Sequence, residues 1–171
     1  METIIVSLIC IALIVFGGMT MSQGFLTSVD TSTAGLSEIG QRDETIIRTL
    51  LTPISTNQTN ADTLEVVLEN TGQTRLADFS KWDVFVHYHD GDDNYYIKWL
   101  PYTESTPTDN EWELAWIKLD GGDEVYEPEV LNPGEQLMLR CKLNPEVGVG
   151  TTNLVVVSTP SGITALTYFY Y

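Results

Sequence analysis

No charged side chain occurs between Thr3 and Val29. Within that run, Ile4 to Met21 (IIVSLICIALIVFGGMTM) is almost wholly apolar. A helix rises ~1.5 Å per residue and a bilayer core is ~30 Å thick, so this stretch is just long enough to span a membrane. It does not read as an ordinary secretory signal. No basic n-region precedes it, and no small-x-small cleavage site follows it. A helix that is apolar all round must be buried, either by lipid or by helices like itself.

The helical pattern continues past Met21. Leu26, Val29, Thr33, Leu36, Ile39, Ile46 and Leu50 recur at three-, four- and seven-residue steps, with Ser, Thr, Gln, Asp, Glu and Arg on the other face. Pro53 ends the pattern. Residues 3 to about 51 therefore read as one helix, ~70 Å long, apolar in its first half and amphipathic in its second. Its five glycines (Gly17, Gly18, Gly24, Gly35, Gly40) disfavour a helix in water but permit close backbone approach or a local bend within a bundle. The candidate packing residues are Ile4, Ile5, Leu8, Ile11, Ala12, Leu13, Val15 and Phe16 in the first half. In the second they are Phe25, Leu26, Val29, Leu36 and Ile39. The expected organisation is a helical segment over 1–52, a polar linker over 53–62 and a β-rich domain over 63–171.

From Thr63 the period changes to two. TLEVVLEN (63–70), KWDVFVHYH (81–89), NYYIKWLPY (94–102) and WELAWIKL (112–119) read as strands, with a turn at Asp120-Gly121-Gly122-Asp123. In EQLMLRCKL (135–143) the pattern puts Leu137, Leu139, Cys141 and Leu143 inward and Gln136, Met138, Arg140 and Lys142 outward. NLVVVST (153–159) reads as buried on both faces, and ITALTYFYY (163–171) closes the chain. Seven or eight short strands separated by Gly, Pro and Asp turns point to an antiparallel, immunoglobulin-like β-sandwich. The fold class is thus α+β, a long N-terminal helix followed by a sandwich.

The net charge is −16, from 24 acidic and 8 basic residues. The first fifty residues hold five acids and two bases, so 19 acids and 6 bases, a net −13, lie on the remainder. Such a surface repels nucleic acid and anionic lipid, and argues against both as partners of the domain. Cys10 lies in the apolar helix and Cys141 on a strand far from it, so neither reads as half of an intrachain disulfide. Asn57-Gln58-Thr59 is an N-glycosylation sequon in the polar segment just beyond the helix, which makes Asn57 the candidate glycan acceptor.

Little in the sequence points to chemistry. His87 and His89, the only histidines, sit two apart on a strand and face one side. Asp90, Asp92, Asp93 and Asn94 follow them, and the Asp90-x-Asp92-x-Asn94 spacing partly mimics a calcium loop. Tyr95 stands where that loop requires Gly, and no Glu occupies its twelfth position. The alternative is an acidic hairpin turn. Apart from calcium there, no cofactor is expected. The sequence has no P-loop, no G-x-G-x-x-G and no G-x-S-x-G elbow, and an enzyme is not the reading. Trp82, Trp99, Trp112, Trp116, Tyr95, Tyr96 and Tyr102 alternate with polar residues and read as core and cross-strand pairs.

The opening TIIVSLICIALIVFGGMTMSQGFLTSVDTSTAGLSEIG resembles the N-terminal helix of archaellins, the filament subunits of the archaeal flagellum, including Gly24-Phe25-Leu26-Thr27-Ser28. LENTGQT (68–74), KWDVFVHY (81–88), LNPGEQLML (131–139) and VVVSTPSGITALTYF (155–169) resemble that family's β-sandwich in the same order. Two features differ. Family precursors carry a short basic leader that a prepilin-type peptidase removes, and none precedes Met1. Ile5 stands where mature bacterial type IV pilins have a glutamate, which moves the likeness toward archaellins. The resemblance implies a structural subunit that polymerises with itself into an extracellular helical filament for swimming. It implies membrane storage before assembly, and as partners the peptidase and an ATP-driven membrane assembly platform. The alternative is a membrane-anchored sandwich that binds an envelope layer or surface, as an accessory stator subunit or adhesive pilin. The striped second half of the helix discriminates, because a simple anchor has no use for it.

Overall fold

The computed structural model describes residues 2–119, 122–123, 127 and 129–171, without the side chains at 2, 37–39, 41–47 and 123. It divides into two compact units, Met1–Asp43 and Glu44–Tyr171. The first is the body of a single helix, α1 (Glu2–Arg48), of 47 residues. The helix stops three residues short of the length that the periodicity predicts. Leu50 lies outside it, half exposed, and Leu51 is already a buried strand residue.

The second unit is a two-layer antiparallel sandwich. One sheet has the order β1-β2-β7-β5-β6. Its strands are β1 (Leu51–Asn60), β2 (Thr63–Asn70), β5 (Glu111–Leu119), β6 (Gly122–Asp123) and β7 (Gln136–Lys142). The other has the order β4-β3-β8-β9, from β3 (Asp83–His89), β4 (Tyr95–Leu100), β8 (Thr152–Ser158) and β9 (Thr164–Tyr170). A 3-10 turn (Phe79–Lys81) leads into β3.

Alternation sets which face of each strand is buried. In the first sheet Leu64, Val66 and Leu68 of β2 pair with Cys141, Leu139 and Leu137 of β7, and all six are fully buried. Trp112 and Ile117 of β5 join that layer, on either side of a register shift between Leu114 and Trp116. The opposing layer comes from Val84, Val86 and Tyr88 of β3, Val155 and Val157 of β8, and Ala165 and Phe169 of β9. The inward set expected for 135–143 is the one found.

Two expectations need correction. The segment read as a polar linker is strand β1, paired with β2 from Leu51↔Asn70 to Asn60↔Thr63. It is an edge strand of its sheet, so its ladder needs one row of backbone hydrogen bonds rather than apolar side chains, and Pro53 falls at a register shift where a missing N–H is tolerated. Strand β8 is not buried on both faces. Asn153, Val155 and Val157 point inward, while Leu154 and Val156 are only half-buried on the outer face. Of the turn expected at 120–123, residues 120 and 121 lie outside the described residues, and Gly122–Asp123 form β6.

Of the aromatics, Trp82 and Trp112 are core, and Tyr102 packs edge-on against Trp112 at 4.9 Å. Tyr96 stacks on buried Tyr88 at 5.6 Å. Trp116 is half-buried beneath the Lys118 ammonium. Tyr95 and Trp99, 56% and 53% exposed, are not core, because β4 turns them to the outer face.

Candidate assembly interface

Helix α1 presents its apolar side chains to solvent in the isolated chain. Exposure is 68% for Ile4, 63% for Ile11, 67% for Phe16 and 70% for Phe25. Ile5, Leu8, Ala12, Leu13, Val15, Leu26, Val29 and Leu36 are exposed likewise, and the Ile39 side chain lies outside the described residues. A stretch from Thr3 to Leu36 is long and apolar enough to cross a membrane. Burial of a large aliphatic side chain is worth ~1.5–3 kcal/mol, so a dozen such residues left in water are strongly unfavourable.

Six hydroxyl groups on this helix are bonded in a way that suits an apolar environment. Ser7 and Thr20 donate their hydroxyls to the carbonyls of Ile4 and Gly17, both at 2.9 Å. Thr27, Thr31, Ser32 and Thr33 donate to the carbonyls four residues back, at 2.8 to 3.0 Å. These six hydroxyl donors are therefore satisfied within the helix and can leave water without an unmade bond. At Gly17, Gly18 and Gly24 the space that a Cβ would fill is open, so another backbone can approach there.

The exit from the helix is built by a loop that the sequence does not reveal as special. Asn70, fully buried at the end of β2, donates its side-chain amide to the carbonyls of Thr74 (2.8 Å) and Leu131 (3.0 Å). Its Oδ1 accepts the Gly72 N–H at 3.1 Å. The loop in turn holds the chain as it leaves α1: the Gly72 N–H also reaches the Leu50 carbonyl (3.1 Å), and the Gln73 N–H reaches that of Arg48 (2.7 Å). A Cβ on Gly72 would stand 2.5 Å from the Leu50 nitrogen and 2.7 Å from the Arg48 oxygen. Asn70 and Gly72 lie within LENTGQT, but close backbone approach leaves no mark in a single sequence.

The two outer faces of the sandwich differ in kind. On the β1-β2-β7-β5 side Arg140 bridges Glu65 (3.2 Å) and Glu113 (3.0 Å), Lys142 meets Asp62 at 2.5 Å, and Gln136 donates to Glu69. The Lys142 ammonium, hydrogen-bonded to Asp62, holds that carboxyl below its ordinary range, with the Thr63 hydroxyl adding to the effect. Asn57 is exposed on this side, opposite Glu65 in the ladder.

The Asp90–Asn94 tip is an acidic hairpin turn whose oxygens serve the turn itself. Asp90 Oδ1 accepts the backbone N–H groups of Asp92 and Asn94, both at 2.9 Å, and the Asn94 side-chain amide donates to the same carboxylate. These bonds, led by that of the Asn94 side chain, lower the Asp90 pKa. Asp93 adopts a left-handed conformation at φ 63°. Among the described residues no three His, Cys, Asp or Glu side chains converge as metal ligands. His87 and His89 do share a face: His87 Nδ1 is 2.9 Å from the Tyr95 hydroxyl, and the His89 ring lies 5.0 Å from the Tyr95 ring.

A family model for archaeal-type flagellin matches residues 2–169, helix and sandwich together. The chain belongs to the archaeal-type flagellin family. As a member it is a structural filament subunit. No curated protein sequence matches it. Among solved structures it resembles the archaeal flagellum of Methanospirillum hungatei strain JF1, with TM-score 0.59 and 12% identity, over 96% of this chain and 90% of that one. It also resembles the archaellum periplasmic stator protein FlaG of Sulfolobus acidocaldarius, with TM-score 0.54 and 19% identity, over 71% of this chain and 99% of that one. The FlaF–FlaG stator complex of the same organism gives TM-score 0.52 and 16% identity, over 70% and 87%. At these identities the structural likenesses establish the fold. The two stator likenesses cover 71% and 70% of this chain, whereas the filament likeness covers 96%.

Proposed function

We propose that this archaellin-family subunit is stored in the cell membrane through α1 and is then drawn into an extracellular filament for swimming. One observation carries the reading: an apolar helix, exposed along its whole described length, runs on well past what a bilayer requires. Transfer from lipid to a bundle exchanges acyl-chain contacts for helix–helix contacts. A contact of head-to-tail type that does not close on itself generates a helical filament. The sandwiches, at a net −13 each, then face solvent. A prepilin-type peptidase that trims a precursor, and an ATP-driven membrane platform that supplies the work, complete the pathway. The accessory or adhesive alternative is less well supported, because the amphipathic continuation of α1 has no place in a simple anchor.

Asn57 is the proposed glycan site. It is exposed on an edge strand, and its sequon partner Thr59 lies 3.4 Å away, hydroxyl to side-chain amide. Intact mass of native subunits tests this, and a mass equal to the bare polypeptide removes it. For the main proposal, detergent is withdrawn slowly from the purified full-length chain and the product is viewed in negative stain. Uniform helical filaments are expected. Discrete particles that stay bound to detergent or lipid under every condition overturn it.

A further inference from the structure

The outer face of the β4-β3-β8-β9 sheet is an apolar surface with no partner in the isolated chain. Two cross-strand rows define it. Trp99, Phe85, Val156 and Leu166 stand opposite one another across the four strands, and Ile97, His87, Leu154 and Tyr168 form the next row. Exposure is 57% for Ile97, 53% for Trp99, 51% for Leu166 and 64% for Tyr168. The only acidic side chain among the outward positions of these strands is Asp83, at a corner, and it already accepts the Trp99 indole N–H at 2.9 Å. Four strands at ~4.8 Å spacing and about six residues at ~3.3 Å make a face of ~400 Å², as large as the biggest apolar patch a soluble monomer usually leaves open.

We infer that this face docks against a neighbouring copy of the same chain in the filament. The inference deepens the filament reading and rests on it. Charge selects the occupant. The domain carries −13, so two copies repel wherever carboxylates face each other. On this face, with Asp83 at its corner as the one acidic outward side chain of its strands, copies can approach with little of that repulsion. The opposite sheet shows the contrast: its outer side carries Glu65, Glu113, Arg140 and the Asn57 sequon, groups suited to water. Size agrees with the assignment. A stand-alone complex buries ~800 Å² per partner, about twice what this face offers. It therefore serves as a second contact, occupied only when α1 has already fixed the subunits at short range and high effective concentration. In water the free subunit gains too little from this face alone to dimerise.

The test uses full-length subunits carrying Ile97→Cys or, as the control, Asn57→Cys. Maleimide labelling is compared between assembled filaments and detergent-dispersed subunits, with the modified position read by peptide mass so that native Cys10 and Cys141 do not confuse it. Cys at position 97 should react at least ~10-fold more slowly in the filament, since an interface core excludes water, while position 57 reacts at nearly equal rates in both states. A second variant, Ile97→Lys with Tyr168→Lys, changes two exposed side chains and should leave the fold intact by circular dichroism. Its filaments should form but melt at a lower temperature than wild type. Filaments in which position 97 stays as reactive as in the dispersed subunit overturn this inference and leave the filament reading standing. Failure of the wild-type chain to form filaments at all removes the filament reading itself.

Discussion

Ile11→Asp tests the role of α1 quantitatively. Ile11 is 63% exposed in the isolated chain and stands in the middle of the uncharged run. Full burial of an isoleucine side chain is worth ~1.5–3 kcal/mol, so covering the part still exposed contributes about 1–2 kcal/mol to assembly, which the variant forfeits. The introduced acid costs more than that. A carboxyl in an apolar bundle must be held neutral, and at pH 7 moving its pKa from ~3.9 to above 7 costs about 4 kcal/mol at 1.36 kcal/mol per unit. Together these make about 5–6 kcal/mol per subunit, which corresponds to roughly four decades in critical concentration. The assay is pelleting of filaments over a subunit concentration series, with tryptophan fluorescence confirming a folded sandwich. The cost of neutralising the carboxyl also has its own signature. Near pH 4 the group is already about half protonated before burial, so relative to wild type at the same pH the defect should shrink by about three decades. A critical concentration within about tenfold of wild type at pH 7, or a defect indifferent to pH, refutes the burial argument.

Three further outcomes follow from the same structure. Gly72→Ala should destabilise the sandwich by about 2–3 kcal/mol in denaturant titration, because its Cβ would meet the backbone of Arg48 and Leu50 and neither can move aside. Burial pushes the Tyr88 phenol and the Cys141 thiol each up to about 12, against ordinary values of 10.0 and 9.0. The unfolded chain therefore releases both protons first, so thermal stability should be full below about pH 9 and fall as pH rises toward 12. Tyr88→Phe should flatten that fall, at about 1 kcal/mol cost near neutrality for the lost 2.9 Å bond to the Pro145 carbonyl. Filaments should melt earlier as ionic strength falls, since the Debye length grows beyond ~10 Å below 0.1 M salt and the acidic domains repel over longer range. Calcium and magnesium should restore them equally, because the Asp90 oxygens already bind their own turn; protection by calcium alone would place a site at that tip.

The strands whose residues alternate were legible, as were the long helix and the sandwich, because burial of one face leaves a period-two record in β2, β3 and β7. Strand β1 was not. LTPISTNQTN carries one buried anchor, Leu51, and owes its place to backbone pairing with β2, which leaves no hydrophobic pattern. The reading of β8 as buried on both faces was wrong for the isolated chain, yet the residues that misled it, Leu154 and Val156, belong to the outer apolar face. A periodicity argument detects apolar side chains that need cover; it does not say whether the same chain or a neighbour supplies it. The long helix was legible for the same reason, since so long an uncharged run must be covered by lipid or by other helices. The Asn70–Gly72 clasp at the helix exit was invisible, because its content is an interatomic distance.

The most direct test is a cryo-electron-microscopy reconstruction of filaments grown from the full-length chain. It should show α1 of every subunit packed against α1 of its neighbours along the axis, with residues Thr3–Leu36 excluded from water and the sandwiches outside. A filament held together by the sandwiches alone, with α1 in detergent or solvent, would contradict the account.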